Sequence, residues 1–165
     1  MANLFRTILV PHDFSVHATG ALRVAADLAA RHGGRLVVLH AITPFNPVSG
    51  FPAVEEMAWI PPADLVAHER RHLTALVKRT VSARSGVRAD VRVIVGDPFQ
   101  QILEAARGVN LIVMATVGRT GLSHLLIGSV AEKVVRHSPV PVLTLRPAGA
   151  RTRKQAKRRR QGRRK

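Results

Sequence analysis

The 165-residue chain has the length of one domain and carries 26 lysines and arginines against 10 acidic residues. It contains no cysteine, which excludes disulfides, thiol catalysis and cysteine-ligated zinc and fits a reducing compartment. Because no apolar run approaches about 18 residues and the amino-terminal run is too short for a secretory signal, we expect a cytoplasmic protein without a transmembrane segment.

Short apolar runs alternate with helical patterns along the chain. The predicted elements, in chain order, are strand 8–10, helix 15–32, strand 36–39, helix 63–85, strand 89–95, helix 98–107, strand 111–114, helix 129–137 and strand 140–145. Four of the strands are continuously apolar, as in a parallel sheet that is covered on both faces, whereas strand 89–95 alternates as an edge strand would. Ser15, Asp64, Pro98 and Ser129 mark the helix starts.

This order predicts an α/β fold, an open five-stranded parallel sheet with helices on both faces. Ligands of such sheets bind beyond the carboxyl ends of the strands, where the strand order reverses. The sequence there is Pro11-His12-Asp13 after the first strand and ATVGRTGLSHLLIGS, residues 115–129, after the fourth. We expect a ligand site between these two segments.

Residues 1–147 are predicted to form the domain, and two segments stand apart from its pattern. Residues 43–62 hold five prolines in twenty positions and form a predicted loop, which is either a lid or contact surface or a floppy insertion. Residues 148–165 are a predicted disordered basic tail, in which the segment from Arg151 to Lys165 carries ten of the 26 basic residues.

The glycine-rich segment before the last helix has two interpretations. In the first, Ser129 and Glu132 form a capping box at the start of the helix. In the second, Gly128 and the helix amino terminus bind a phosphate group, with Gly118 and Gly121 turning further amides toward it. The segment matches neither a Walker A loop nor GxGxxG, so the residues alone leave both interpretations open.

The spacing Ala115-x2-Gly118-x9-Gly128-Ser129 resembles the G-x2-G-x9-G-[ST] signature of the universal stress protein family, with alanine in place of the first glycine. ILVPHDFS at 8–15, LHAIT at 39–43 and SVAEKVVRHSPVPVLTLRP at 129–147 resemble other family segments. The resemblance covers residues 4–147. It implies a Rossmann-like (adenine nucleotide alpha hydrolase-like) fold with strand order 3-2-1-4-5 and a universal stress protein that takes part in the stress response.

The resemblance also implies an ATP site, with Mg²⁺, between the first and fourth strands. Asp13 would bind the ribose, with His12 beside it, while Pro11 and the backbone of Ala41 would line the adenine site. The implied phosphate site and its floor comprise Met114, Ala115, Gly118, Arg119, Gly128, Ser129 and Val130. An alternative for Asp13 is a local role at the start of the first helix. If the first signature position requires a positive φ or touches the α-phosphate, the methyl group of Ala115 would cost about 1 kcal/mol or block the approach of the phosphate. If φ is negative, the alanine would be harmless.

Two other motifs suggest a metal site and a hydrolase triad, but their context does not support either. His68 and His72 match HExxH, but both are predicted on the solvent face of their helix with arginines between them, so we expect no metal site. His12, Asp13 and Ser15 are too close in sequence to form a hydrolase triad. The chain offers little acid–base machinery, and we expect no catalytic residues and at most slow ATP hydrolysis.

Two segments are predicted to bind partners: the last strand of the domain and the basic tail. The apolar strand from Val140 to Leu145 is expected at a sheet edge, and the family resemblance implies a homodimer through it. The tail from Arg151 to Lys165 is expected to bind nucleic acid or another polyanion, unless it is a solubilising extension or a contact for anionic membranes. The alternative function is a dimeric scaffold on nucleic acid whose nucleotide pocket does not function.

Overall fold

The computed structural model describes residues 3–43, 62–82, 86–117 and 127–146. In these ranges five strands alternate with four helices, as the sequence predicts. The elements are β1 (Thr7–Pro11), α1 (Val16–His32), β2 (Arg35–Ile42), α2 (Ala63–Val81), β3 (Arg88–Val95), α3 (Pro98–Ala106), β4 (Leu111–Ala115), α4 (Ser129–His137) and β5 (Val142–Leu145).

The five strands form one parallel sheet in the order β3-β2-β1-β4-β5, which confirms the predicted fold class and strand order. β1 lies at the centre, with Ile8 opposite Leu36 of β2 on one side and opposite Leu111 of β4 on the other. The chain leaves β1 toward β2 and later returns to the other side at β4. The strand order therefore reverses between β1 and β4, and their carboxyl ends are the expected ligand position.

Alternate residues of each central strand enter two separate apolar clusters. Ile8 and Val10 pack with α1 and α2 on one face, and Leu9 packs with α3 and α4 on the other. All three side chains have no solvent-exposed surface. Besides Leu22, the buried residues of α1 are alanines, which allow the helix to lie close to β1 and β4: Ala18, Ala21, Ala25, Ala26 and Ala29. Burial on both faces explains why the strands are continuously apolar.

The termini of α1 agree with the sequence prediction, whereas the end of α2 does not. Ser15 caps α1 as predicted, and α1 ends at Gly33, which has a left-handed φ of 64°. The predicted end of α2 at residue 85 was wrong, because the helix ends at Val81. Ser82 follows it, and its hydroxyl donates to the carbonyl of Arg79, a local side-chain bond that competes with continuation of the helix.

Several predictions concern residues outside the described ranges: the greater part of the proline-rich loop (44–61), Gly118, Arg119, Gly121 and the basic tail. Within the described ranges, no helix is both long and apolar enough to span a bilayer.

Candidate functional site

A cleft of about 410 Å³ opens at the carboxyl ends of β1, β2 and β4, which is a usual size for a small-molecule site. It lies at the reversal of strand order, where the sequence predicts the ligand. Its walls combine strand ends, the β1–α1 turn and the first turn of α4. Residues that line it are Pro11, His12, Asp13, Ala18, Leu39, His40, Ala41, Thr43, Pro98, Ile102, Met114, Ala115, Thr116, Val117, Gly128, Ser129, Val130 and Ala131.

The turn between β1 and α1 is held by three successive side-chain acceptors. The Nδ1 of His12 accepts from the Phe14 amide at 3.0 Å, and Asp13 Oδ1 accepts from the Ser15 amide at 3.0 Å. Ser15 Oγ then accepts from the amide of Ala18 at 3.0 Å. Asp13 therefore has the local role that was considered for it, and it also lines the cleft.

The Ser15 side chain thus caps α1 and satisfies one amide of its first turn, that of Ala18. The same holds for α3, where Asp97 at the N-cap accepts from the amide of Gln100 at 3.0 Å. A side-chain cap occupies one of the amides that an anion would otherwise bind and lies where the anion would have to lie. Although residues of both helices line the cleft, neither helix presents an uncapped amino terminus to it.

Helix α4 differs, and the predicted capping box at Ser129 was wrong. The N-cap is Gly128, Ser129 is the first helical residue, and among the described residues no side chain caps the helix. Glu132 instead binds Arg136 through a salt bridge of 3.1 Å on the surface. The amides of Ser129, Val130 and Ala131 belong to the first turn, where helix geometry provides no internal acceptor, and all three residues line the cleft.

Thr116 joins the ends of β4 and β5 to the start of α4. Its amide donates to the carbonyl of Leu145 at 2.9 Å, and its own carbonyl accepts from the Gly128 amide at 2.6 Å. A Cβ on Gly128 would lie 3.2 Å from that carbonyl, closer than most side-chain contacts. Glycine at 128 therefore allows the close approach of α4 to the strand end, although its φ of −72° is open to any residue.

Ala115 introduces no backbone strain. It is the last residue of β4, where it lies opposite Leu145, and among the described non-glycine residues only Phe14 has a positive φ. The alanine thus occupies an ordinary conformation for an L-residue. The conformational cost considered for replacing the first signature glycine is absent.

Nine of the eleven predicted site residues line this one cleft. They come from four segments that are distant in sequence: Pro11, His12, Asp13, Ala41, Met114, Ala115, Gly128, Ser129 and Val130. The remaining two, Gly118 and Arg119, lie outside the described residues. The structure thus brings the described candidates together, and their contact with a nucleotide remains a prediction.

Sequence reasoning missed two buried polar residues of the cleft, His40 and Thr116. His40, interpreted as a packing residue, is 8% exposed, and its Nδ1 donates to the carbonyl of His12 at 2.8 Å. Thr116 is 2% exposed and follows β4 directly. Both are polar residues at the carboxyl end of an apolar strand. This position in the sequence could have identified them as candidate site residues.

The HExxH motif lies on α2. His68 and His72 are exposed, as predicted, and within the described residues no cluster of three potential ligands occurs. His72 stacks on Phe14 with a ring separation of 4.6 Å. His137 lies at the end of α4, where its Nδ1 bonds to the carbonyl of Lys133.

The fold is that of a doubly wound α/β protein with a cleft at the point where the strand order reverses. The sequence profile of the Universal stress protein family matches residues 4–146. A relative from Thermus aquaticus, a universal stress protein in the QAH/OAS sulfhydrylase 3′ region, is 38% identical over 87% of this chain and 100% of its own length. The chain belongs to the universal stress protein family.

Solved structures show the same architecture. The universal stress protein UspA from Lactobacillus plantarum has a TM-score of 0.70 and 25% identity, over 86% of this chain and 98% of its own. A universal stress protein in complex with cAMP has a TM-score of 0.60 and 23% identity, over 87% and 98%. One from Archaeoglobus fulgidus in complex with dAMP has a TM-score of 0.58 and 21% identity, over 86% and 98%. The last two support the fold alone.

Proposed function

We propose that the cleft binds ATP, with Mg²⁺, and that the chain acts as a nucleotide-binding stress-response protein. The observation that carries this proposal is the uncapped amino terminus of α4. Helix amino termini attract anions through their unpaired amides and the positive end of the helix dipole. Since side chains cap α1 and α3, the α4 amides are the natural position for the phosphates.

The rest of the cleft suits an adenosine. Apolar side chains of Leu39, Ile102 and Met114 line it and offer surface for the base. The Asp13 carboxylate is the candidate acceptor for a ribose hydroxyl. Two universal stress proteins of this fold have been solved with adenine nucleotides, cAMP and dAMP, which supports this ligand class.

Binding, rather than fast catalysis, is the activity that we propose. The titratable side chains lining the described part of the cleft are His12, Asp13 and His40, and each has an acceptor or donor role in holding the turn or the strand ends. General acid–base catalysis needs a group that can exchange a proton with the substrate. We propose at most slow hydrolysis of ATP.

Equilibrium dialysis of the full chain against labelled ATP and Mg²⁺ tests the proposal. We expect saturable uptake of one nucleotide per chain, and native mass spectrometry of the purified protein should show the same adduct. A chain that ends at residue 147 is the control for the polycationic tail, and it should retain the uptake. Loss of all uptake on truncation would show that the tail, not the cleft, holds the nucleotide.

We also propose a homodimer through β5, which forms an edge of the sheet. Leu143 on this strand is 37% exposed, and Val95 on the opposite edge strand, β3, is 36% exposed. We expect Leu143→Lys to dissociate the dimer and the matched variant Val95→Lys to leave it intact, because an edge strand pairs through its own surface. Sedimentation velocity measures both, and a dimer that survives Leu143→Lys would contradict the assignment.

A second candidate function is based on the ten basic residues from Arg151 to Lys165. In it the domain is a dimeric scaffold and the tail binds nucleic acid or another polyanion through counterion release. Salt-dependent DNA binding in the absence of any ATP uptake would favour this function over the first.

A further inference from the structure

The β1–α1 turn contains a histidine whose protonation state is fixed by its hydrogen bonds. His12 is 3% exposed, and its Nδ1 faces the Phe14 amide at 3.0 Å. Because an amide can only donate, Nδ1 must carry a lone pair, and the proton of the neutral ring lies on Nε2. Thr19 Oγ1 lies 3.3 Å from Nε2 and donates its own hydrogen to the carbonyl of Ser15, so it accepts from Nε2.

This ring supports a strained backbone conformation next to Asp13. Phe14 has a φ of 65°, a left-handed conformation that residues other than glycine rarely adopt. The bond to Nδ1 of His12 holds the Phe14 amide in that conformation, and the bond from Ser15 to Asp13 follows it directly. The orientation of Asp13 at the cleft therefore depends on the neutral His12 ring.

We propose that His12 is a positioning residue that makes nucleotide binding pH-dependent: the neutral ring holds the turn that presents Asp13, and the imidazolium cannot. The inference depends on the proposed function of the cleft. A proton on Nδ1 would place two donors face to face at the Phe14 amide and remove its acceptor. The turn would then have to rearrange, and Asp13 would move with it.

Protonation of the other titratable groups near His12 in the described chain would affect ATP binding differently. His40, from β2, donates from Nδ1 to the His12 carbonyl at 2.8 Å, and this bond persists in both of its protonation states. A charged His40 at the cleft would attract ATP, so its titration has the opposite sign. His72, from α2, contacts the far side of the Phe14 ring, and Asp13 is bonded within the turn.

The test is ATP affinity between about pH 8 and about pH 5.5, the range in which histidines ordinarily titrate. In the wild type we expect affinity to fall by up to about tenfold per pH unit below the midpoint, because proton and nucleotide then compete. His12→Asn keeps an acceptor in the position of Nδ1 and does not titrate, so whatever its affinity at high pH, that affinity should decline much less than the wild-type affinity as the pH falls. His12→Ala should bind weakly throughout.

The control is His72→Gln, which should retain the wild-type pH profile. The same ATP is used for every variant, so titration of its phosphates cancels in the comparison. A separate readout without nucleotide is the ring-nitrogen NMR spectrum of His12, which should show the Nε2–H tautomer, and slow exchange of the Phe14 amide.

The outcomes separate the two proposals. Binding by the wild type with an identical pH profile in His12→Asn would overturn the role of His12 and leave the proposed function intact. An Nδ1–H tautomer would also overturn it. Absence of ATP binding at every pH, with the expected tautomer, would refute the proposed function and with it the pH-dependent binding.

Discussion

Replacing Gly34 with alanine is expected to lower the free energy of unfolding by about 3 kcal/mol, at the upper end of the usual cost of overpacking. A Cβ at this position would collide with the carbonyl oxygen and carbon of Phe5. Both are backbone atoms, fixed by the adjacent bond from the Arg35 amide to the Arg6 carbonyl at 3.0 Å. Neither can move away as a flexible side chain could. Urea unfolding followed by far-ultraviolet circular dichroism measures the loss.

Gly20 supplies the matched control for this variant. It lies inside α1, and a Cβ there would meet no atom within 4 Å. Gly20→Ala should therefore raise the free energy of unfolding by about 0.5–1 kcal/mol, through the better helix propensity of alanine. If both variants changed stability equally, backbone entropy rather than the contact with Phe5 would explain the result.

The sheet could be predicted from sequence because its signal is large and local. A strand such as β4 is buried on both faces, so each of its residues must be apolar, and the run from Leu111 to Met114 records this directly. The strand order came from the family resemblance, since topology depends on contacts between distant residues that periodicity does not encode. Helix ends were less predictable, as Ser82 at the end of α2 shows.

The sequence predicted where the cleft lies, but it did not predict the hydrogen bonds of the residues that line it. Ser129 followed by Glu132 satisfies the pattern of a capping box, yet Gly128 takes the N-cap position because its amide bonds to Thr116. The pattern describes a local preference, and a tertiary hydrogen bond outweighed it. The same holds for His12, whose role depends on Thr19 and on the unusual φ of Phe14.

Replacing Ser129 with proline is expected to weaken ATP binding by at least about tenfold, the value of one charge-assisted hydrogen bond of about 1.5 kcal/mol. Proline removes the Ser129 amide, which our proposal directs to a phosphate, together with the side-chain hydroxyl. It is well tolerated as the first residue of a helix, and Gly128 before it has the extended conformation that proline requires, with φ −72° and ψ 156°. Isothermal titration calorimetry measures the affinity.

Ser129→Ala separates the amide from the hydroxyl, because it keeps the backbone donor and removes only the side-chain oxygen. We expect its ATP affinity to stay within about threefold of the wild type, since no side-chain bond caps the helix at this position. Both variants should unfold at the wild-type urea concentration. Equal losses of affinity in the two variants would place the phosphate on the hydroxyl, and unchanged affinity in Ser129→Pro would remove the α4 amino terminus from the site.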